Sequence, residues 1–122
     1  MTPNAPGSPQ YFLTSKDLAS WFAAHPAATE VWIGFWKKSF ERPGISYGDA
    51  VDEALCEGWI DSVIRRVDEA SYMTRFTPRR PRSNWTEANL RRAEELRAEG
   101  RFRPGGERAL ATRRDAAERR AR

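Results

Sequence analysis

The chain has 122 residues, 39% of them hydrophobic and 31% charged, with one cysteine and one histidine. That length suits one domain, which can bury roughly two thirds of its unfolded surface and needs no disulfide or metal staple. The formal net charge of +4 is unevenly placed: residues 101–122 hold eight arginines against three acids, and residues 1–100 sum to −1.

No window approaches the ~18 consecutive apolar residues of a membrane-spanning helix. The opening stretch Met1 to Pro9 has neither a basic nor an apolar signal region, so a cytoplasmic protein is expected. A single cysteine, Cys56, excludes an internal disulfide and a cysteine-based zinc cage. His25 alone leaves little for a histidine metal site or triad, and no cofactor motif is present. Eighteen of the 21 basic residues are arginine, beside 17 alanines, a bias that a GC-rich genome explains without any function.

Residues 1–10 are rich in Pro, Gly, Ser and Asn and are expected to be disordered or loosely draped. Thr14 or Ser15 caps a helix whose Leu18, Trp21 and Phe22 form one apolar face, and Pro26 ends it at His25. The run Val31-Trp32-Ile33-Gly34-Phe35-Trp36 reads as a strand, apolar on both sides and therefore expected at the sheet centre. Ser46 caps the next helix, with Asp49 at the capping-box position and Gly58 as its C-terminal cap. Its core stripe is Tyr47, Ala50, Val51, Ala54 and Leu55, whereas Asp49, Asp52, Glu53 and Glu57 read as a solvated acidic face.

Ser62–Val67 and Tyr72–Thr77 read as a hairpin pairing Val67 with Tyr72, Arg65 with Thr74 and Val63 with Phe76. Asn84 with Glu87 suggests a cap for a helix reaching Glu99. After Pro104-Gly105-Gly106, residues 107–121 read as a mostly polar helix. The pattern is α+β: a small three-stranded antiparallel or mixed sheet packed with four to five helices in a single domain. Residues 11–104 form its body and residues 105–122 an Arg-rich helical or frayed tail.

Chemistry concentrates between Cys56 and Asn89. Arg75, Arg79, Arg80 and Arg82 fall in eight positions around Pro78 and Pro81, just before a helix start. Guanidinium forks on a proline-stiffened loop suit a phosphate or carboxylate, unless they merely pair with acids such as Glu57 and Asp61. Asn89 falls on the core-facing side of its helix with Trp85 at the edge, so its amide needs an internal partner or lines a cavity. Trp59 and Asp61 follow a helix cap, where Asp61 serves as turn cap, ligand acceptor or base. Cys56, with no histidine near in sequence to activate it, reads as a half-buried inert thiol. His25 reads as a helix C-terminal cap. The tryptophans are mostly core but numerous enough to wall a pocket.

The segments Trp32-Ile33-Gly34-Phe35-Trp36-Lys37-Lys38, Ile45-Ser46-Tyr47, and Ala50 through Asp61 resemble the YdeI/OmpD-associated, bacteriocin-protection family. Tyr72, the run Arg75 to Ser83, Trp85 and Asn89 continue the resemblance. Ser62 replaces a glycine common in that pattern, and the loop Ser39–Pro43 is bulkier than usual. The resemblance implies protection against antimicrobial peptides and, by name, a porin association. It also implies a polar cluster at Asp61, Tyr72, Arg75, Arg79, Arg80, Trp85 and Asn89.

The leading expectation is a non-enzymatic protein binding a small anionic or polar aromatic ligand, linked to stress or antimicrobial resistance. Its site would comprise Trp59, Asp61, Tyr72, Arg75, Arg79, Arg80, Trp85 and Asn89. One alternative is a cofactor-free enzyme of secondary metabolism using Asp61 as acid/base, assisted by Tyr72 or Cys56. The other is nucleic-acid binding through the arginine loop and tail, which the near-neutral body disfavours.

Overall fold

Side-chain caps punctuate the chain much as its sequence indicates. In the computed structural model, which describes residues 7–113, Thr14 Oγ1 accepts the Asp17 amide at 3.1 Å and opens helix α1 (Ser15–Ala24). Its buried face is Leu18, Trp21 and Phe22, and His25 closes it, with the ring Nδ1 bonded to the Trp21 carbonyl at 2.8 Å. Strand β1 (Val31–Trp36) follows, then a short 3-10 turn (Lys38–Phe40). Ser46 Oγ accepts the Asp49 amide at the start of helix α2 (Tyr47–Glu57), and Gly58, at φ 84°, ends it. The hairpin is β2 (Trp59–Arg66) with β3 (Ser71–Pro78), and helices α3 (Glu87–Ala98) and α4 (Pro104–Ala111) complete the described residues. Expectations for residues 1–6 and 114–122 lie outside the described residues.

The result is a single-domain α+β fold: four helices and an antiparallel sheet in the order β1-β3-β2. The central strand is therefore β3, and the expectation of a central β1 is corrected. β1 is nonetheless buried on both faces, because Tyr11 lies against Gly34 and Trp36 and Arg65 lies over Trp32 on the side away from the core. Gln10 donates its amide to Trp32 O and accepts from the Gly34 amide, each at 2.8 Å, so residue 10 is tied to the sheet rather than disordered. A side chain at Gly34 would collide with the Tyr11 ring, which stacks on Trp36 at 4.5 Å and bonds Ser71 Oγ at 2.9 Å.

The hairpin register also differs from expectation: Arg66 pairs with Tyr72, Arg65 with Met73, Ile64 with Thr74 and Asp61 with Phe76. Two local features cause the shift. The Asp68 carboxylate accepts the Ala70 and Ser71 amides, so the Val67 and Asp68 amides both turn onto Ser71 O. A bulge between Asp61 and Ile64 then adds a residue to β2.

One sheet face packs on α1 and α2, burying Ile33, Phe35, Trp59 and Phe76 with Leu18, Phe22 and Ala54. On its far side α2 carries a second cluster, in which Leu55, Cys56 and Trp85 meet Ala93, Leu96 and Leu110. Thr86, not Asn84, caps α3, its hydroxyl accepting the Asn89 amide at 3.0 Å. Pro104, Gly105 and Gly106 are the first turn of α4, not a linker. Side chains at either glycine would strike the carbonyls of Glu57 and Cys56, so glycine lets α4 press against the end of α2. Residues 105–111 thus belong to the folded body, with Leu110 buried. Among the described residues, no helix is long and apolar enough to cross a membrane.

On the acidic face of α2 only Asp49 is exposed as expected; the other three acids are ion-paired. Asp52 binds Arg92 through two hydrogen bonds, at 3.0 and 2.8 Å. Glu53, only 6% exposed, receives Arg101 at 2.8 Å and Arg103 at 3.1 Å, and Glu57 receives Arg103 at 2.6 Å. These pairs fasten α3 and the segment before α4 onto α2. Arginines approach Glu53 because an acid buried without partners is costly. Removing the carboxylate by Glu53→Ala leaves Arg101 and Arg103 without their shared partner and should destabilise the protein by about 3 kcal/mol. Urea denaturation would measure it, and a loss below about 0.5 kcal/mol, typical of an exposed pair, would contradict this role.

Candidate functional site

Arg79 follows the last residue of β3, where Pro78 pairs with Trp59 and the Arg79 amide donates to Gly58 O at 2.9 Å. That bond directs the chain away from the sheet and towards α3. The Arg79 guanidinium lies over the Trp85 ring, 4.1 Å from its centroid, and Nη2 donates to Asn89 Oδ1 at 3.4 Å. Arg79, Trp85 and Asn89 are thus brought together, and the half-buried Asn89 amide has the internal partner its position demanded.

No carboxylate lies within ion-pair distance of Arg79 among the described residues, and its Nε and Nη1 are buried without an acceptor. Ser83 Oγ and Trp85 Nε1 lack partners as well. Burial lowers the Arg79 pKa to about 10, opposed only by the negative charge of Asp61. A half-buried cation usually acquires an acid partner, and Arg75, Arg92, Arg97, Arg101 and Arg103 all do. Pairing with Glu57 or Asp61, the plain structural reading of this loop, is therefore not what Arg79 does. Glu57 is held by Arg103, and Asp61 accepts the Tyr47 hydroxyl at 2.5 Å.

The loop beyond Arg79 is tightly made. The Ser83 amide donates to Arg80 O at 3.1 Å across a turn with Pro81 at its second position. Arg82 occupies the third at φ 62°, a left-handed conformation that glycine usually takes. The Arg82 amide donates to Thr112 O at 2.7 Å, anchoring the loop to the end of α4. A groove of about 390 Å³ runs along this loop, lined by Ile60, Arg79, Arg80, Arg82 and Ser83. Trp59, a core residue 7% exposed, reaches a neighbouring groove on the other side of Arg79.

The remaining expected residues lie elsewhere. Arg75 pairs across the sheet with Trp32 and is bound to Glu30 at 2.5 Å, well away from the loop. Tyr72 sits beside Phe35 and Tyr47 at the opposite end of the sheet. Asp61 lies between the two regions: its hydrogen bond goes to Tyr47 while its charge is felt at Arg79. Burial, then the hydrogen bond to Asp61, holds the Tyr47 phenol well above its ordinary pKa, so it stays protonated. Tyr47 is the partner that reading the sequence missed, since its place on the apolar stripe of α2 explained it fully.

Cys56 is completely buried rather than half-buried, and burial, followed by the charge of Glu53, pushes its thiol pKa up to about 11. The thiolate is the reactive form, so a nucleophilic role has no support. Ellman's reagent should label Cys56 at the rate of global unfolding in native buffer and promptly in denaturant. Prompt native labelling would show an open thiol. Among the described residues, no cluster of His, Cys, Asp and Glu is arranged to hold a metal ion.

A model of a domain of unknown function, DUF8412, matches residues 10–109, and the chain belongs to that family. The match includes every candidate residue and most of α4. No curated protein and no solved structure matches the chain.

Proposed function

We propose that this protein binds a small molecule through an anionic group, a carboxylate or phosphate, received by Arg79 in the groove of the arginine loop. One observation carries this reading: a guanidinium stacked on Trp85 and largely stripped of water, with donors left over and no acid within ion-pair distance among the described residues. Every unmet group there (Arg79 Nε and Nη1, Ser83 Oγ, Trp85 Nε1) is able to donate, so the missing partner is rich in acceptors. Asn89 orients the fork, Arg80 lies exposed at the groove, and the proline-flanked turn limits the ordering cost of binding.

Catalysis by Asp61 has weaker support, because its carboxylate already accepts the Tyr47 proton donor and Cys56 is inaccessible. A nucleic-acid surface has weaker support still, since residues 1–100 carry a net charge of −1. The link to stress or antimicrobial resistance belongs to this proposal through the YdeI/OmpD-associated resemblance of the sequence.

Thermal denaturation in phosphate, sulfate and acetate, against chloride at equal ionic strength, tests the site. Ligand at about 100 times its Kd should stabilise the wild-type protein by about 2.7 kcal/mol. Arg79→Met should remove that gain while leaving stability in chloride unchanged or raised, because it abolishes a desolvated charge. Asn89→Ala should weaken the gain several-fold. An equal anion-dependent gain in Arg79→Met would overturn the assignment.

A further inference from the structure

A second cleft opens at the far end of the sheet, where β1 runs into the 3-10 turn and the loop before α2. Its volume is about 470 Å³, within the ordinary range of ligand pockets. We propose that this cleft binds a planar aromatic anion, independently of the Arg79 groove.

The walls are aromatic. Phe35 lies 5.4 Å from Tyr72 and 5.1 Å from Tyr47, and the two tyrosine rings are 6.5 Å apart, so three rings form one corner. Tyr47 donates its hydroxyl to Asp61, which fixes the ring and turns its polar end towards β2. Trp36 supplies a further wall, held by stacking on Tyr11. Phe35 is buried behind the two tyrosines, so a flat ring entering this space meets chiefly Tyr47 and Tyr72, already held in place, in the offset or edge-on arrangement that aromatic pairs prefer.

The rim is cationic. Lys37, Lys38 and Arg42 line the cleft with one acid, Glu41. Neither lysine has a carboxylate partner among the described residues. Arg42 is laid over Trp36 at 4.6 Å, so a guanidinium waits above an aromatic wall. The rim is also ordered before any ligand arrives. The Lys37 amide donates to Ala70 O at 2.9 Å and the Ile45 amide to Phe12 O at 2.9 Å. At Gly44 an added Cβ would lie 3.2 Å from Trp36 Cδ1, which shows how closely the loop lies on that ring. Apolar rings at the base with three cations at the mouth select a ligand that is flat and apolar at one end and negatively charged at the other. A simple metabolite anion uses the rim but not the walls, and a neutral aromatic uses the walls but not the rim.

The test is a titration of ¹⁵N-labelled protein with 1-naphthoate, read at the Trp36 indole N–H and the amides of residues 36–46. A parallel titration with 1-naphthyl phosphate distinguishes a carboxylate preference from a phosphate preference. Saturable shifts confined to this cleft are expected, with affinity at least about tenfold weaker for cyclohexanecarboxylate, which has charge but no π-face, and for 1-naphthalenemethanol, which has no charge. The double variant Lys37→Met/Lys38→Met, altered only at the rim, should lose about tenfold in affinity, while Arg79→Met should bind as the wild type does. Absence of saturation, equal affinity in the lysine variant, or shifts that follow Arg79 would each overturn the proposal. The last outcome would leave the Arg79 groove standing as the anion site.

Discussion

The structure depends on Glu53. An acid sits on the packed side of α2 at 6% exposure, and two arginines from the chain beyond α3 reach it. Arg103 also binds Glu57 and donates to the Glu53 carbonyl, so one side chain ties three acceptors at the C-terminal end of α2. This clamp holds α4 close enough for its glycines to touch the α2 carbonyls and for Leu110 to complete the second core. The apolar cluster there is small. Directional charge pairing sets the register in which it packs.

The same pairing sorts the arginines. Those that build the fold find acids on α2, on α3 and α4, or at Glu30. Arg79 is excluded from that set because the acids near it are already taken, Glu57 by Arg103 and Asp61 by Tyr47. Its charge is instead supported by an aromatic face and an amide, neither of which neutralises it. Groups left with unmet hydrogen-bonding capacity inside a well-satisfied protein are the places where a ligand's contribution is missing.

Local chemistry was legible in the sequence and distant pairing was not. Thr14, Ser46 and Gly58 act within four residues of their own positions, so their roles as caps follow from pattern alone. The grouping of Arg79, Trp85 and Asn89 was readable because a proline-bounded loop runs straight into the helix bearing Asn89. The strand order escaped, since a run apolar on both sides in β1 reports burial and not which strand lies beside it. The hairpin register escaped because the Asp68 side chain and the bulge after Asp61 each shift it. Glu53 was hidden because its partners lie 48 and 50 residues away. The aromatic cleft left one trace: two of the three lysines, Lys37 and Lys38, stand together directly after the aromatic strand.

The central claim is that Arg79, whose Nε and Nη1 are buried without an acceptor beside Trp85, has hydrogen-bonding capacity waiting for an anion. The most direct measurement is ¹⁵N NMR of the arginine Nε–H groups during addition of phosphate at constant ionic strength. The Arg79 signal should move and saturate, with protection from exchange, while those of Arg92, Arg101 and Arg103 stay where they are. A still Arg79 signal, or a small uniform drift of all four, would contradict it.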